Sequence, residues 1–279
     1  MTLSAQSPSQ STSPLINFAI RQVEQFCFEN PELGHSSHGF EHAKKVHNHA
    51  IHALQCLQTK PAQDVCENIE LAALMHDLDD HKYFPNHSSH IAEEFLQSKY
   101  PNALKLLSNL DPKLSPKRQN HIIYLISLVS CSQNGNSVPP DIHSSQSFHL
   151  LIPRWADRLE AIGPIGVVRC YQYNQERNYK ISSFSSPRPQ SEEEVWQYAT
   201  PQRFQDYQES GGSSEDMISH YYDKLLHVAR PPPEIVHNKY LERVAKERVK
   251  DLLEVCLSFG KTGDVDVEYI LQLEKSIER

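Results

Sequence analysis

The chain has 279 residues, of which 38% are hydrophobic and nine are glycine, and its net charge is −8. This length allows one large domain or two small ones with a buried core, and the low glycine count favours helices over a turn-rich β fold. Polymeric nucleic acid is not expected as the main partner, because phosphate backbones require clustered positive charge and no sustained Lys/Arg face is present.

Three sequence features bear on location. No apolar run approaches the roughly 18–20 residues needed to span a bilayer, so no membrane partner is expected. The first residues, MTLSAQSPSQSTSPL, are polar and uncharged, unlike a secretory signal or an Arg-rich transit peptide. The six cysteines are scattered singly without a CxxC pair, which is typical of reduced thiols. We therefore expect a cytoplasmic protein, with a nuclear location left open.

The predicted elements follow a Ser/Thr/Gln/Pro-rich tail at residues 1–13, which we expect to be disordered. Apolar residues at helical spacing predict a first helix over residues 15–30 and a second over residues 39–58, before Pro61. A third helix is predicted from Asp64 towards His76. Asp64 and Glu67 have the spacing of a capping box at its start.

Shorter helices are predicted over residues 88–99, 101–108 and 115–129, and residues 131–148 are predicted to form a loop. A helical pattern resumes over residues 150–174. The polar stretch 172–216 has one short amphipathic piece near residues 192–199, and we interpret it as an insertion or lid. Helices over residues 217–228 and 234–259 complete the pattern.

Few segments alternate between apolar and polar residues as β-strands do, so the predicted fold class is all-α. The predicted organisation is one helical domain over residues 14–260, interrupted by the 172–216 insertion and followed by a C-terminal segment at residues 261–279. No internal repeat is found.

Four residues form the set expected to bind a divalent metal ion: His42, His76, Asp77 and Asp157. Neutral imidazole combined with carboxylate suits Mn, Fe, Ni or Zn. Adjacent helical residues point about 100° apart, so His76 and Asp77 reach one ion only if it lies close to their helix. The following acidic pair, Asp79 and Asp80, favours such a site.

Three motifs carry these residues in order. HGFEHAKKV (38–46), AALMHDLDDHKYF (72–84) and ADRLEAIGPIGVVR (156–169) resemble the motifs of the HD superfamily of metal-dependent phosphohydrolases. The branch they resemble includes bacterial nucleotide pyrophosphohydrolases, and the resemblance extends in outline over residues 15–259. It implies an HD-type helical bundle with His42, His76, Asp77 and Asp157 as metal ligands. Two positions differ from the family pattern: Gly39 stands where Asp is frequent, and Trp155 where an acidic residue is usual.

The resemblance implies one divalent ion (Mn, Mg, Ni, Co, Zn or Fe) and a small phosphorylated substrate, most of all a nucleotide. A metal-activated water would attack phosphorus, with Asp80 or Asp77 taking its proton. The residues expected to hold phosphate charge are His38, Lys45, Lys82, Arg158 and Arg169.

The expected phosphate-binding role of each arginine depends on its surroundings. Arg158 could instead pair with Glu160 or orient Asp157. Arg169 can point inward only if the helix breaks at Gly163 and Pro164.

Two other functions stay open. A dinuclear iron oxygenase of the HD type would need two further histidines, from His81, His87, His90 and His121. A non-catalytic nucleotide-binding or regulatory module would use residues 173–216 as a partner surface. His47, His49 and His52 are interpreted as solvated or hydrogen-bonded histidines, and Tyr171, Tyr173 and Tyr179 could line a substrate pocket or simply pack. Substrate identity, the bond cut and the oligomeric state are left open, with a homodimer among the options.

Overall fold

The computed structural model describes residues 13–31, 39–80, 84, 96, 98–110, 114–142, 146–231 and 233–277. Helices account for all the regular secondary structure within these ranges, which confirms the all-α fold class. Among the helices described, none combines the length and the apolar character that crossing a bilayer requires.

The first half of the chain forms six helices. They are α1 (Pro14–Glu29), α2 (Phe40–Gln55), α3 (Gln63–Met75), α4 (Pro101–Leu110), α5 (Pro116–Ser127) and the short α6 (Cys131–Asn134). Five of them, α1 to α5, lie within a few residues of their predicted bounds. The helix predicted over residues 88–99 and most of the predicted N-terminal tail lie outside the described residues.

The second half begins with a 3₁₀ turn at Phe148–Leu151, and a five-residue π-helix at Tyr221–Leu225 joins α11 to α12. Its α-helices are α7 (Ile152–Leu159), α8 (Gly163–Glu176), α9 (Glu192–Tyr198), α10 (Pro201–Glu209), α11 (Met217–His220), α12 (Leu226–Ala229), α13 (Pro233–Val236), α14 (Lys239–Thr262) and α15 (Val267–Ile277).

Helix α3 lies at the centre of the fold. Its side chains at residues 69 and 71–75 are at most 1% exposed, and it packs against α1, α2, α5 and α7. Residues 71–75, the second half of the helix, are apolar on every side, and such a segment is stable only when it is enclosed. The predicted capping box at its start is wrong, because Ala62 is the N-cap without a side-chain bond and Glu67 pairs with Arg118 of α5 at 2.7 Å.

Residues 172–216 are held against the rest of the molecule. Val195 of α9 and Phe204 of α10 are buried, Gln190 Nε2 donates to the Gly260 carbonyl at 2.8 Å, and Arg203 Nε donates to Asp223 Oδ1 at 2.8 Å. The amphipathic piece near residues 192–199 is confirmed as α9, whereas α10 was not predicted. This segment is therefore packed structure with two helices, and the last turn of α8 belongs to it.

The last helices also pack on the domain. Helix α14 contacts α2, α7 and α8 and continues past residue 260 to Thr262. Helix α15 packs along α8, where Gln172 Nε2 donates to Glu274 Oε1 at 2.6 Å.

Candidate metal centre

Three helices bring the predicted metal ligands to one place. His42 lies in the first turn of α2, His76 and Asp77 follow the end of α3, and Asp157 lies on α7. Because α2 packs on both α3 and α7, these side chains meet in the interior. His42 is 5% and His76 8% exposed, while the side chains of Asp77 and Asp157 remain 15% and 26% exposed. The carboxylates therefore form the open side of the cluster.

The four ligand atoms are closely spaced. His42 Nε2 lies 3.3 Å from His76 Nε2, 3.5 Å from Asp77 Oδ2 and 3.3 Å from Asp157 Oδ1. His76 Nε2 lies 3.3 Å from Asp77 Oδ2 and 3.5 Å from Asp157 Oδ1. Ligand atoms bound to one ion at ~2.0–2.2 Å in a tetrahedral arrangement would be ~3.3–3.6 Å apart. The ligand atoms of His42, His76 and Asp77 all lie within 4.8 Å of one another, and Asp157 Oδ1 lies against both imidazoles; this mixed nitrogen and oxygen set suits a divalent transition metal.

The protonation of the cluster favours a cation. Burial lowers the pKa of His42. Burial alone would also lower that of His76, but the carboxylates of Asp77 and Asp157 raise its pKa well above the usual value. Burial tends to raise the pKa of Asp157, and hydrogen bonds with His42 and His76 instead hold it far below its ordinary value. The Asp157 carboxylate therefore stays ionised, and a bound metal would take the place of the imidazolium proton.

The His76 ring is oriented by the backbone. Its Nδ1 lies 2.9 Å from the Ala73 carbonyl oxygen, one turn back along α3, and this Nδ1–H donates to it. The bond leaves Nε2 facing the cluster, as the second contact of a metal-bound histidine commonly does.

The acidic residues after Asp77 have different surroundings. Asp79 is buried, and its two carboxylate oxygens accept hydrogen bonds from the backbone N–H groups of Asn102 and Ala103, both at 2.9 Å, at the start of α4. Burial, Asp79 and Asp80 together raise the pKa of Tyr100 to about 12. Among the acidic residues at positions 77, 79 and 80, Asp77 is the one with a carboxylate oxygen 3.3–3.5 Å from the imidazoles of His42 and His76.

Arg169 borders the cluster. Its Nη1 donates to the Glu160 carbonyl oxygen at 3.0 Å and lies 3.4 Å from His42 Nδ1. The helix breaks at residues 160–162, and Gly163 has φ +73°, so α8 begins in a new direction. This is the break that the inward placement of Arg169 requires.

Arg158 is placed differently from the sequence-based expectation. It is 2% exposed, its guanidinium donates to the Gly135 carbonyl and the Asn136 side chain, and it stacks 4.6 Å from the Trp155 ring centroid. Its suggested partner Glu160 contacts Arg248 and His49 instead. The assignment of Arg158 to phosphate binding is therefore corrected: its hydrogen bonds hold the loop after α6.

Some of the predicted residues are not among those that the structure describes, and one lies on α5. His38, Lys82, His81, His87 and His90 lie outside the described residues. His121 lies on α5, with its Nδ1 3.3 Å from Asn68 Nδ2, so it serves α3–α5 packing.

The histidines further along α2 have hydrogen-bond partners, as interpreted from the sequence. His47 Nε2 lies 2.9 Å from Glu70 Oε2. His49 Nδ1 lies 2.7 Å from the Tyr240 hydroxyl.

A buried acidic group was missed by the sequence analysis. Glu160 is 2% exposed, and its Oε1 contacts Arg248 Nη1 at 2.8 Å and His49 Nε2 at 3.0 Å. Burial would raise the Glu160 pKa, but His49 and Arg248 lower it to about 2. No motif spacing connects these residues, which come from α2, the turn after α7, and α14.

Lys45 lies one turn after His42 and lines a groove of about 400 Å³, which we call the α2 groove. Its lining includes Lys45, His49, Glu160, Ile165, Tyr240 and Arg248. Tyr173 is not among the lining residues and instead packs edge-on against Tyr179, with the ring centroids 6.0 Å apart.

Comparison with known proteins identifies a relative by sequence and solved structures with a similar fold. No family model matches the chain. The uncharacterised protein L803 of Acanthamoeba polyphaga mimivirus is 33% identical over 255 residues, covering 88% of this chain and 96% of that protein. A Lactobacillus plantarum crystal structure aligns over 91% of this chain and 99% of its own, with TM-score 0.60 and 19% identity. The Lin1889 protein of Listeria innocua aligns over 88% and 93%, with TM-score 0.51 and 19% identity. These structures share the fold.

Proposed function

This chain belongs to the same family as protein L803 of Acanthamoeba polyphaga mimivirus, and we propose that it is an HD-type metal-dependent phosphohydrolase. Its substrate is a small phosphate ester or anhydride, and nucleotides are the first class to test. The observation that carries this proposal is the convergence of His42, His76, Asp77 and Asp157 within 3.3–3.5 Å contacts. The order of the three motifs in the sequence supports it independently.

The cluster suits phosphoryl chemistry because of its charges. When bound, a divalent ion lowers the pKa of a coordinated water and polarises a phosphoryl oxygen. Asp77, whose side chain is 15% exposed, is the carboxylate in position to accept a proton at the open side of the cluster. Arg169 places a fixed positive charge beside His42, where negative charge develops on phosphoryl oxygens.

The remaining residues define access to the cluster. Lys45 is exposed one turn from His42 and can steer an anionic substrate towards it. The overall charge of −8 and the absence of a basic groove from the sequence pattern favour a small ligand over a polymer.

We also propose a reducing compartment, the cytoplasm, as the place of action. All six cysteines are free thiols, and Cys131 and Cys256 are buried. Such usage is typical of proteins that work where glutathione and thioredoxin keep thiols reduced.

The test is a release assay on metal-stripped protein, with Mn, Mg, Ni, Co, Zn or Fe added back. Phosphate and pyrophosphate are measured separately on nucleoside mono-, di- and triphosphates. We expect metal-dependent release that Asp77→Ala abolishes, while Asp206→Ala, which removes an exposed carboxylate from α10, leaves the rate unchanged. Release without added metal, or equal release by Asp77→Ala, would contradict the proposal.

A further inference from the structure

Glu160, in the turn that follows α7, contacts the edge of the metal centre with its backbone and α14 with its side chain. Its carbonyl oxygen accepts a hydrogen bond from Arg169 Nη1 at 3.0 Å, and the same Nη1 lies 3.4 Å from His42 Nδ1. Its carboxylate oxygen Oε1 lies 2.8 Å from Arg248 Nη1 on α14. The carbonyl that Arg169 binds is therefore held in place by whatever holds this one residue.

The Glu160 side chain is held by two helices at once. It is 2% exposed, and its Oε1 lies 3.0 Å from His49 Nε2 on α2 as well as against Arg248. His49 is held in turn, because its Nδ1 lies 2.7 Å from the Tyr240 hydroxyl on α14. A buried carboxylate with partners on two helices has a locked rotamer, and its own backbone carbonyl is fixed with it.

Arg248 also contacts the turn on both sides of Glu160. Its Nη1 donates to the Leu159 carbonyl, one residue before Glu160. Its Cβ and Cγ lie 3.0 Å from where a Cβ would stand on Gly163, three residues after Glu160. One side chain of α14 therefore contacts the beginning, the middle and the end of the turn between α7 and α8.

A fixed carbonyl matters for Arg169 because its side chain is long and only half-buried. A donor that faces developing phosphoryl charge is effective when its position is set before the reaction. A displacement of about 1 Å in a positioned group can cost on the order of 100-fold in rate. The Glu160 carbonyl is a contact that sets this position beside His42.

We propose that Glu160 and Arg248 are positioning residues for the phosphohydrolase reaction: Arg248 holds Glu160, and the Glu160 carbonyl holds Arg169 beside His42. This inference rests on the proposed function and adds a residue of α14, outside the three motifs, on which the reaction depends. Neither residue touches the metal ligands, so both act through Arg169.

The test is a double-mutant cycle of Arg248→Ala and Arg169→Ala. Arg248→Ala alone should lower kcat about tenfold, because Arg169 is present but less well fixed. Its Mn²⁺ affinity should equal that of the wild type, since all four ligand residues remain. In the Arg169→Ala background, Arg248→Ala should cause no further loss, because residues that act through one another are not additive. A loss by the same factor in both backgrounds would overturn the proposal.

A conservative variant and a small molecule test whether the guanidinium itself is required. Arg248→Lys keeps the charge but not the planar fork that binds the Leu159 carbonyl and Glu160 together, so it should stay below wild-type kcat. The Arg248 side chain is 25% exposed and lines the α2 groove, so guanidinium ion can enter the space that Arg248→Ala leaves. Guanidinium at sub-denaturing concentration should restore part of kcat in Arg248→Ala and none in the double variant. Equal response of both variants would contradict the proposed role.

Arg203→Ala is the matched control for loss of an ion pair between helices. Arg203 of α10 lies 2.7 Å from Asp223 of the π-helix, and its side chain is 30% exposed, close to the value for Arg248. The variant should keep wild-type kcat and show no response to guanidinium. If Arg248→Ala does not fold, Glu160→Gln takes its place in the cycle, because it keeps the backbone carbonyl and weakens only the contact with Arg248.

A binding measurement keeps this inference separate from the proposed function. Methylenediphosphonate is titrated into the Mn²⁺-loaded variants of the same cycle by calorimetry. Arg248→Ala should weaken its binding severalfold when Arg169 is present and leave it unchanged in the Arg169→Ala background. That result without phosphate release from any compound would support the positioning role and overturn the hydrolase. Release by the wild type with unchanged binding and kcat in Arg248→Ala would support the hydrolase and overturn the positioning role. A wild type that neither releases phosphate nor binds methylenediphosphonate would overturn both.

Discussion

Arg158 and Arg169 stand on consecutive helices and have different surroundings. Arg169 is half-buried beside His42, whereas Arg158 is buried and donates hydrogen bonds to the Gly135 carbonyl and the Asn136 side chain. The placement of a guanidinium depends on which backbone carbonyls it meets, and these come from distant parts of the chain. The sequence motif shows that both arginines are present but does not distinguish their environments.

Arg169→Ala should lower kcat about 100-fold, because one fixed donor aimed at developing charge contributes on that order. The melting temperature should change less than in Arg158→Ala, since Arg169 is only half-buried whereas Arg158 is buried. Steady-state kinetics of the released phosphate and thermal unfolding are measured together. Arg158→Ala is the matched control: it should unfold at markedly lower temperature, because it leaves two acceptors unpaired and a gap beside Trp155. If Arg169→Ala and Arg158→Ala lost activity to the same extent and had the same melting temperature, the difference in role between the two arginines would be contradicted.

At the scale of elements, the turn between α7 and α8 determines the direction of Arg169. Gly163 adopts φ +73°, and the side chain of Arg248 packs 3.0 Å from where a Cβ would stand. At Gly166 a Cβ would overlap the carbonyl of Ala161. These two glycines therefore permit the tight turn between α7 and α8, and Arg169 of α8 reaches His42 of α2.

Gly166→Ala should displace α8 or the turn, because the new methyl group meets backbone that cannot move aside. We expect a stability loss of roughly 1–3 kcal/mol and a fall in metal-dependent activity. Urea unfolding and phosphate release are the measurements. Gly211→Ala adds the same methyl at φ +73° with nothing within 4 Å, so it reports the backbone strain alone and should leave activity intact. Wild-type activity in Gly166→Ala would contradict this account of the turn.

Helix positions were largely predictable because the 3.6-residue period of apolar side chains is local. The N-cap of α3 was not predictable. Glu67 is paired with Arg118 of α5, a contact between helices, and Ala62 is the N-cap where Asp64 was expected. Helix α10 was missed because only Phe204 and Tyr207 mark its buried face. Those residues are stabilised by packing on the π-helical segment, which sequence periodicity does not reveal.

For the whole molecule, the buried pair of Glu160 and Arg248 links stability to pH. The Glu160 pKa is about 2, below its ordinary value of 4.5. A carboxyl with a depressed pKa stabilises the folded state above its ordinary pKa and loses that contribution as pH falls through the folded value. The contribution should therefore disappear between pH 4.5 and pH 2 and amount to roughly 3 kcal/mol.

Glu160→Gln should reduce the dependence of the unfolding free energy on pH within this window, because the glutamine does not titrate while other carboxylates with lowered pKa values, such as Asp157, still do. The measurement is urea unfolding of metal-free protein at a series of pH values from 5 to 2. Glu209→Gln, at an exposed position on α10, is the control and should keep the wild-type slope. A slope in Glu160→Gln equal to that of the wild type would show that this pair does not control acid stability.

The site was predictable in part. The motifs identify His42, His76, Asp77 and Asp157 because their order along the chain is specific, and the structure brings these four together. Glu160, Arg248 and Tyr240 were not predicted to act together, because their proximity arises only when α2, α7 and α14 pack. The order of the motifs along the chain identifies the metal ligands, whereas the contacts among Glu160, Arg248 and Tyr240 arise only from tertiary packing.

The central claim is that these four residues hold one divalent ion. Its most direct test is an equilibrium titration of metal-stripped protein with Mn²⁺, followed by electron paramagnetic resonance of free ion, on wild type, His76→Ala and Asp157→Ala. The account predicts one tight site per chain in the wild type and its loss in both variants. Two ions per chain would favour a dinuclear centre, and no tight site, or unchanged binding in the variants, would contradict the account.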